Sequence, residues 1–124
     1  MPVIHPDRAV VHDLHGTRFT VYAAPGSGSS ELCAWQAEIP SGSVGVPHRI
    51  TREEVFLVLD GTLRVTLDGA VHDLTPGDVL VAPAGSQLQA DNPGDQPVRS
   101  WVTTSVGLRA ALPDGTWITP PWVQ

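Results

Sequence analysis

At 124 residues, with 41% hydrophobic and 16% charged side chains, the chain is long enough to bury one core and too short for two. A net charge of −6 offers no basic face to nucleic-acid phosphates, and no stretch approaches the roughly 18 consecutive apolar residues of a membrane helix. All seven cations are arginine, which excludes lysine-imine catalysis, and the single Cys33 has no internal disulfide partner. No basic segment followed by an apolar stretch opens the chain, so the expected location is cytoplasmic.

The chain order is that of an all-β protein. Apolar residues recur with a period near two, and no helix of ordinary length can be drawn without crossing one of the 12 glycines or 12 prolines. Strands are predicted at 10–14 and 17–23, separated by a turn at His15-Gly16. Pro25-Gly26-Ser27-Gly28 is a solvated loop; no helix follows whose amides could cradle a phosphate. The next strand, 32–39, ends at Pro40, and its Leu32-Cys33-Ala34-Trp35 run marks Cys33 as a buried, inert thiol. Ser41-Gly42-Ser43 is no nucleophile elbow, since no strand-to-helix turn frames it.

Strands at 55–59, 62–67 and 71–74 flank two Asp-Gly pairs, Asp60-Gly61 and Asp68-Gly69, and both pairs predict hairpin turns. Pro76-Gly77 and Pro83-Ala84-Gly85 bracket a strand at 79–81, with further strands at 87–90, 98–106 and 117–118. So many short strands with turn chemistry between them predict a sandwich or barrel, a single domain over residues 1–124. Alternation lets either Trp35 or Gln36 face inward, not both, and the same holds for Trp101 and Val102.

Two segments carry a more specific signal. Gly42, five residues, His48-Arg49-Ile50, three residues, Glu54, six residues and Gly61 form the first. Gly77, five residues, Pro83-Ala84-Gly85, two residues, Leu88, three residues and Asn92 form the second. Together they resemble the paired signatures of the cupin superfamily, over roughly residues 32–106. The resemblance implies a cupin jelly-roll (double-stranded β-helix) barrel.

In metal-binding members of that family, two histidines and a glutamate of the first motif join a histidine of the second around one ion. Here His48 and Glu54 remain, while Ile50 and Leu88 occupy the other two positions. Two ligands and two branched hydrocarbons make a poor site for a divalent transition metal, so no cofactor is expected. The alternative is a weakly bound ion held by His48, Glu54 and His72, which shares the face of Leu74 by alternation. Glu53 falls on the face opposite Glu54.

The resemblance also places His48 and Glu54 on neighbouring strands, both facing the barrel interior. A histidine beside a carboxylate in an apolar cavity suits general acid–base chemistry: isomerisation, cyclisation or dehydration of a small molecule. Ile50, Phe56, Val58 and Leu88 would line that cavity as the substrate-binding surface. A binding module that holds a small-molecule ligand unchanged, and a metal-dependent dioxygenase-type enzyme, are the alternatives. A jelly roll leaves sheet edges open, so a homodimer is expected, with the N-terminal strands and the C-terminal tail packing on the barrel or on the dimer partner.

Overall fold

A computed structural model describes residues 2–124. Twelve strands form two six-stranded sheets in which every pairing is antiparallel. In chain order they are β1 (Val10–Leu14), β2 (Thr17–Ala23), β3 (Leu32–Ile39), β4 (His48–Ile50), β5 (Glu54–Asp60) and β6 (Leu63–Leu67). β7 (Ala70–Leu74), β8 (Val79–Ala82), β9 (Gln87–Asp91), β10 (Val98–Ser105), β11 (Ala110–Ala111) and β12 (Trp117–Ile118) complete the set. One sheet runs β1-β2-β3-β10-β5-β8 and the other β12-β11-β4-β9-β6-β7. Among the described residues, no helix is long and apolar enough to cross a membrane.

Alternation decides what lies between the sheets. Along β10, Val98, Ser100, Val102 and Thr104 are buried, while Arg99, Trp101, Thr103 and Ser105 point outward. β3 repeats the pattern with Cys33, Trp35, Ala37 and Ile39 inside. Val102 and Trp35 are therefore the inward members of the two pairs left open by sequence, and they stand opposite each other in register. Cys33 is fully buried; burial pushes its thiol pKa up, and its Sγ lies 3.7 Å from the Val123 carbonyl oxygen. From the other sheet, Leu63, Val65, Ile50 and Leu88 close the same core.

The two Asp-Gly pairs behave differently. Asp68 (φ 48°) and Gly69 (φ 85°) make the two-residue turn that joins β6 to β7, with Leu67 opposite Ala70. Asp60-Gly61 makes no hairpin. β5 pairs with β10 and β8, whereas β6 pairs with β7 and β9, so the chain crosses between sheets at Gly61. A Cβ there would stand 2.7 Å from the Pro97 carbonyl oxygen, and φ is +79°. Close approach and backbone sign both require glycine.

The tail packs on the barrel, one of its two expected placements. Trp122 stacks on Phe19 of β2, ring centroids 3.7 Å apart, and Val123 is buried. The Gly26 amide donates to the carbonyl oxygen of Gln124. The C-terminal segment thus covers its own barrel, and it does so because Trp122 and Val123 find their apolar partners on β2 and β3.

Candidate functional site

His48 and Glu54 enter from opposite sheets. β4 lies between β11 and β9, where His48 stands opposite Leu88; β5 lies between β10 and β8, where Glu54 stands opposite Thr104 and Ala82. The expectation that the two strands are neighbours is therefore corrected. Residues 51–53 carry the chain from one sheet to the other, and long-range pairing assigns β4 and β5 to different layers.

Glu54 is 4% exposed and shares the inward face of β5 with Phe56 and Val58. The neighbouring Thr104 hydroxyl donates to the Glu53 carbonyl oxygen at 2.7 Å, not to the Glu54 carboxyl. No side-chain hydrogen bond reaches that carboxyl among the described residues. Desolvation consequently pushes its pKa from the ordinary 4.5 up to about 8, so the group is mainly neutral at pH 7. Glu53, by contrast, is exposed.

His48 is half-buried, and its Nδ1 lies 3.0 Å from the Val46 carbonyl oxygen. A carbonyl can only accept, so Nδ1 carries the hydrogen; in the neutral ring, Nε2 then presents its lone pair. The three ion pairs among the described residues are all Arg–Asp, so His48 and Glu54 do not form one. The predicted carboxylate–imidazole contact is replaced by two separated groups: a buried neutral acid and an imidazole held by its own chain.

Ile50 and Leu88 are each 1% exposed, and with Phe56 and Val58 they belong to one contiguous core. Of the four positions that correspond to ligands in metal-binding relatives, two are therefore hydrocarbon and a third is a carboxyl that burial keeps protonated. That donor set does not fit a divalent ion. His72 does not repair it. It sits exposed on β7, opposite Val65, and no group of three or more His, Cys, Asp or Glu side chains suited to a metal gathers among the described residues. β7 is the last strand of its sheet, so the face shared with Leu74 runs past the core there.

The outer face of the second sheet carries a feature that the motif analysis missed. Arg49, Thr66, Asp68, Gln87 and Gln89 line a concavity of about 390 Å³. The signal was present in the alternation, because these polar residues occupy the positions between core members Ile50, Val65 and Leu88.

With two facing antiparallel sheets and the motif residues turned inward, the sequence itself matches the model of the cupin domain over residues 35–104, more than half the chain. The chain belongs to the cupin family. Comparison with curated proteins finds no match. Among solved structures, this cupin is similar to the polyketide cyclase RemF of Streptomyces resistomycificus, at 18% identity and a TM-score of 0.75, over 85% of this chain and 79% of that one. It is also similar to an RmlC-like cupin of Shewanella frigidimarina, at 22% identity and 0.73, over 85% and 90%. A cupin-superfamily sugar phosphate isomerase of Silicibacter pomeroyi matches at 17% identity and 0.70, over 99% and 100%. At these identities the likeness extends to the fold.

Proposed function

We propose that this cupin is a small-molecule enzyme of the isomerase, cyclase or dehydratase type, working by proton transfer and without a tightly held metal. The observation that carries the reading is Glu54: an inward-facing carboxyl, 4% exposed, with a pKa near 8. A largely buried carboxyl with no protein hydrogen-bond partner among the described residues costs stability, so packing alone gives no reason for it. A proton donor whose pKa lies near working pH has the value that general acid–base chemistry favours. His48, entering from the facing sheet with Nε2 free, supplies the complementary acceptor. A substrate between the two would gain a proton at one atom and lose one at another, which is the net change in isomerisation and the core of dehydration. The structural neighbours lend this chain only their fold, so the reaction class rests on these two side chains.

A second reading is favoured by a different observation. Ile50, Phe56, Val58 and Leu88 are packed within the core, and two shallow concavities lie on outer surfaces. A cupin that binds a ligand without converting it would need less access to Glu54. The deciding experiment starts from native mass spectrometry of protein taken from its own host, which identifies the co-purifying compound. Turnover of that compound, unaffected by chelator and lost in Glu54→Gln, supports the enzyme; binding without turnover supports the binding module.

A further inference from the structure

The shallow concavity on the outer face of the β12-β11-β4-β9-β6-β7 sheet is lined by polar groups whose directions are already fixed. Arg49 on β4 donates through Nη1 to the Gly85 carbonyl and through Nη2 to Gln87 Oε1 at 3.3 Å. Two of its five N–H groups are so engaged, and three remain for a ligand. Because Gln87 Oε1 accepts from Arg49, the Gln87 amide turns its NH2 outward. Gln89 is held the opposite way: its Nε2 donates to Asp91 at 3.1 and 3.3 Å, which turns Oε1 outward. Asp91 is itself anchored by the Gly45 amide at 2.8 Å. Asp68 accepts the Gln87 backbone amide on Oδ1 at 2.8 Å and keeps Oδ2 as an acceptor. The half-buried Thr66 hydroxyl, opposite Gln89 on β6, both donates and accepts.

Donors therefore gather at Arg49 and Gln87, acceptors at Asp68 and Gln89, a few ångströms apart across one sheet face. Vicinal hydroxyl groups, each a donor and an acceptor at once, match such a mixed set; an anion or a cation uses only half of it. The charges agree. Arg49 and Arg64 stand on this face against Asp68, Asp73 and Asp91, so neither sign dominates. The volume, about 390 Å³, lies within the range of small-molecule sites. Shallowness suits a hydrated ligand that is gripped along one side and keeps the other in water.

One register row extends the site. Trp117, Ala111, Arg49 and Gln87 follow one another across β12, β11, β4 and β9. Trp117 is 51% exposed, with the Arg109 guanidinium 5.2 Å from its ring centroid. Ala111 between Trp117 and Arg49 is small, so a ligand can pass over it. Strands about 4.8 Å apart put Trp117 roughly 14 Å from Gln87, a span that needs a chain of rings. An indole face attracts the polarised C–H groups of a saccharide ring's apolar side. We propose that this face binds a neutral oligosaccharide, with one end in the concavity at Arg49, Gln87 and Gln89 and the other on Trp117. The site lies outside the barrel and stands apart from the chemistry at Glu54.

NMR titration of the full chain with cellotetraose, maltotetraose, xylotetraose and mannotetraose, each to about 20 mM, tests this. At least one is expected to shift the side-chain NH2 signals of Gln87 and Gln89 and the Trp117 indole N–H, with a dissociation constant on the order of 1 mM. Gln87→Ala and Gln89→Ala should each weaken that binding by about tenfold. Trp117→Ala should weaken the tetrasaccharide by about the same factor and leave the corresponding disaccharide unchanged. Val81→Glu, on the other sheet at 52% exposure, should bind as the wild type does. If a glutamine variant loses its fold by circular dichroism, Thr66→Ala takes its place. The absence of any shift with all four sugars overturns the inference, as does binding that survives the folded variants. A stronger response to tetragalacturonate also overturns it, since the concavity would then select anions through Arg49.

Discussion

His48 of β4 and Leu88 of β9 stand directly opposite each other in register, both turned toward the core. Where metal-binding relatives would set two imidazoles side by side, this cupin sets one against hydrocarbon. Ile50, two residues along the same strand, extends the apolar wall. His48 is left with the Val46 carbonyl as the hydrogen-bond partner of its ring, and Glu54 in the facing sheet is left with none among the described residues.

Burial of Glu54 makes folding pH-dependent in a direction opposite to that of an ion-paired carboxylate. Its folded pKa, about 8, lies above its ordinary 4.5, so between those values the native state holds a proton that the unfolded chain has released. Stability therefore falls as pH rises through that window, and the loss is complete above the folded value. The difference between pH 5 and pH 9 is on the order of a few kcal/mol. Glu54→Gln removes the titration, so its denaturant midpoint should change much less between pH 5 and pH 9. Urea titrations of both proteins at pH 5, 7 and 9 measure this. Parallel pH profiles would show that the carboxyl is solvated.

Substituting the two hydrocarbon positions tests whether the alignment with metal-binding relatives is physically right. The wild-type protein, dialysed without chelator, should retain well below one equivalent of iron, manganese, nickel, copper or zinc. Ile50→His combined with Leu88→His adds two imidazoles on β4 and β9, the strands that carry His48 and its partner. That variant should take up one equivalent of divalent metal, because the added ligands compensate for ionising Glu54. Elemental analysis reads both outcomes. A full equivalent in the wild type would return attention to His72.

Most strands were legible because burial alternates cleanly and glycine or proline punctuates nearly every turn. β1, β2 and β3 fall where the apolar periodicity places them. β4 and β11 did not emerge from the periodicity, since three and two residues are too short to display a period. Asp60-Gly61 and Asp68-Gly69 are the same dipeptide, yet one crosses between sheets and the other closes a hairpin. What separates them is the distant pairing of β5 with β10, which no local pattern encodes. The same non-local choice put His48 and Glu54 in different layers. Their inward orientation was readable from the motif, and the space between them was not.

The stack of Trp122 on Phe19 should contribute measurably to stability. Trp122→Ala removes a half-buried aromatic and loosens the segment that carries Val123 over Cys33. A loss of about 2–3 kcal/mol is expected, below the full cost of a buried tryptophan because this one keeps some exposure. The Cys33 thiol, fully buried in the wild type, should then react faster with a thiol reagent. Both a chemical melt and the labelling rate report on it, and wild-type values in each would show that the tail does not close the barrel.

The catalytic reading makes the sharpest demand on Glu54. Acting as the acid, its carboxyl must be protonated, so the rate on the co-purifying compound should hold through pH 7. It should fall about tenfold per unit once pH passes the folded pKa of about 8. Glu54→Gln keeps the shape and cannot deliver a proton, and a loss of roughly 10²–10⁴-fold is expected. His48→Ala should cost a similar factor, whereas Glu53→Gln, on the exposed side of the chain, should change the rate little. Chelator should leave all four proteins as they were. If Glu54→Gln turns over the compound at the wild-type rate while remaining folded, the buried carboxyl is not the proton donor. The packed interior around Ile50 and Leu88 then favours the binding module, and affinity, not rate, becomes the property through which Glu54 and His48 must be measured.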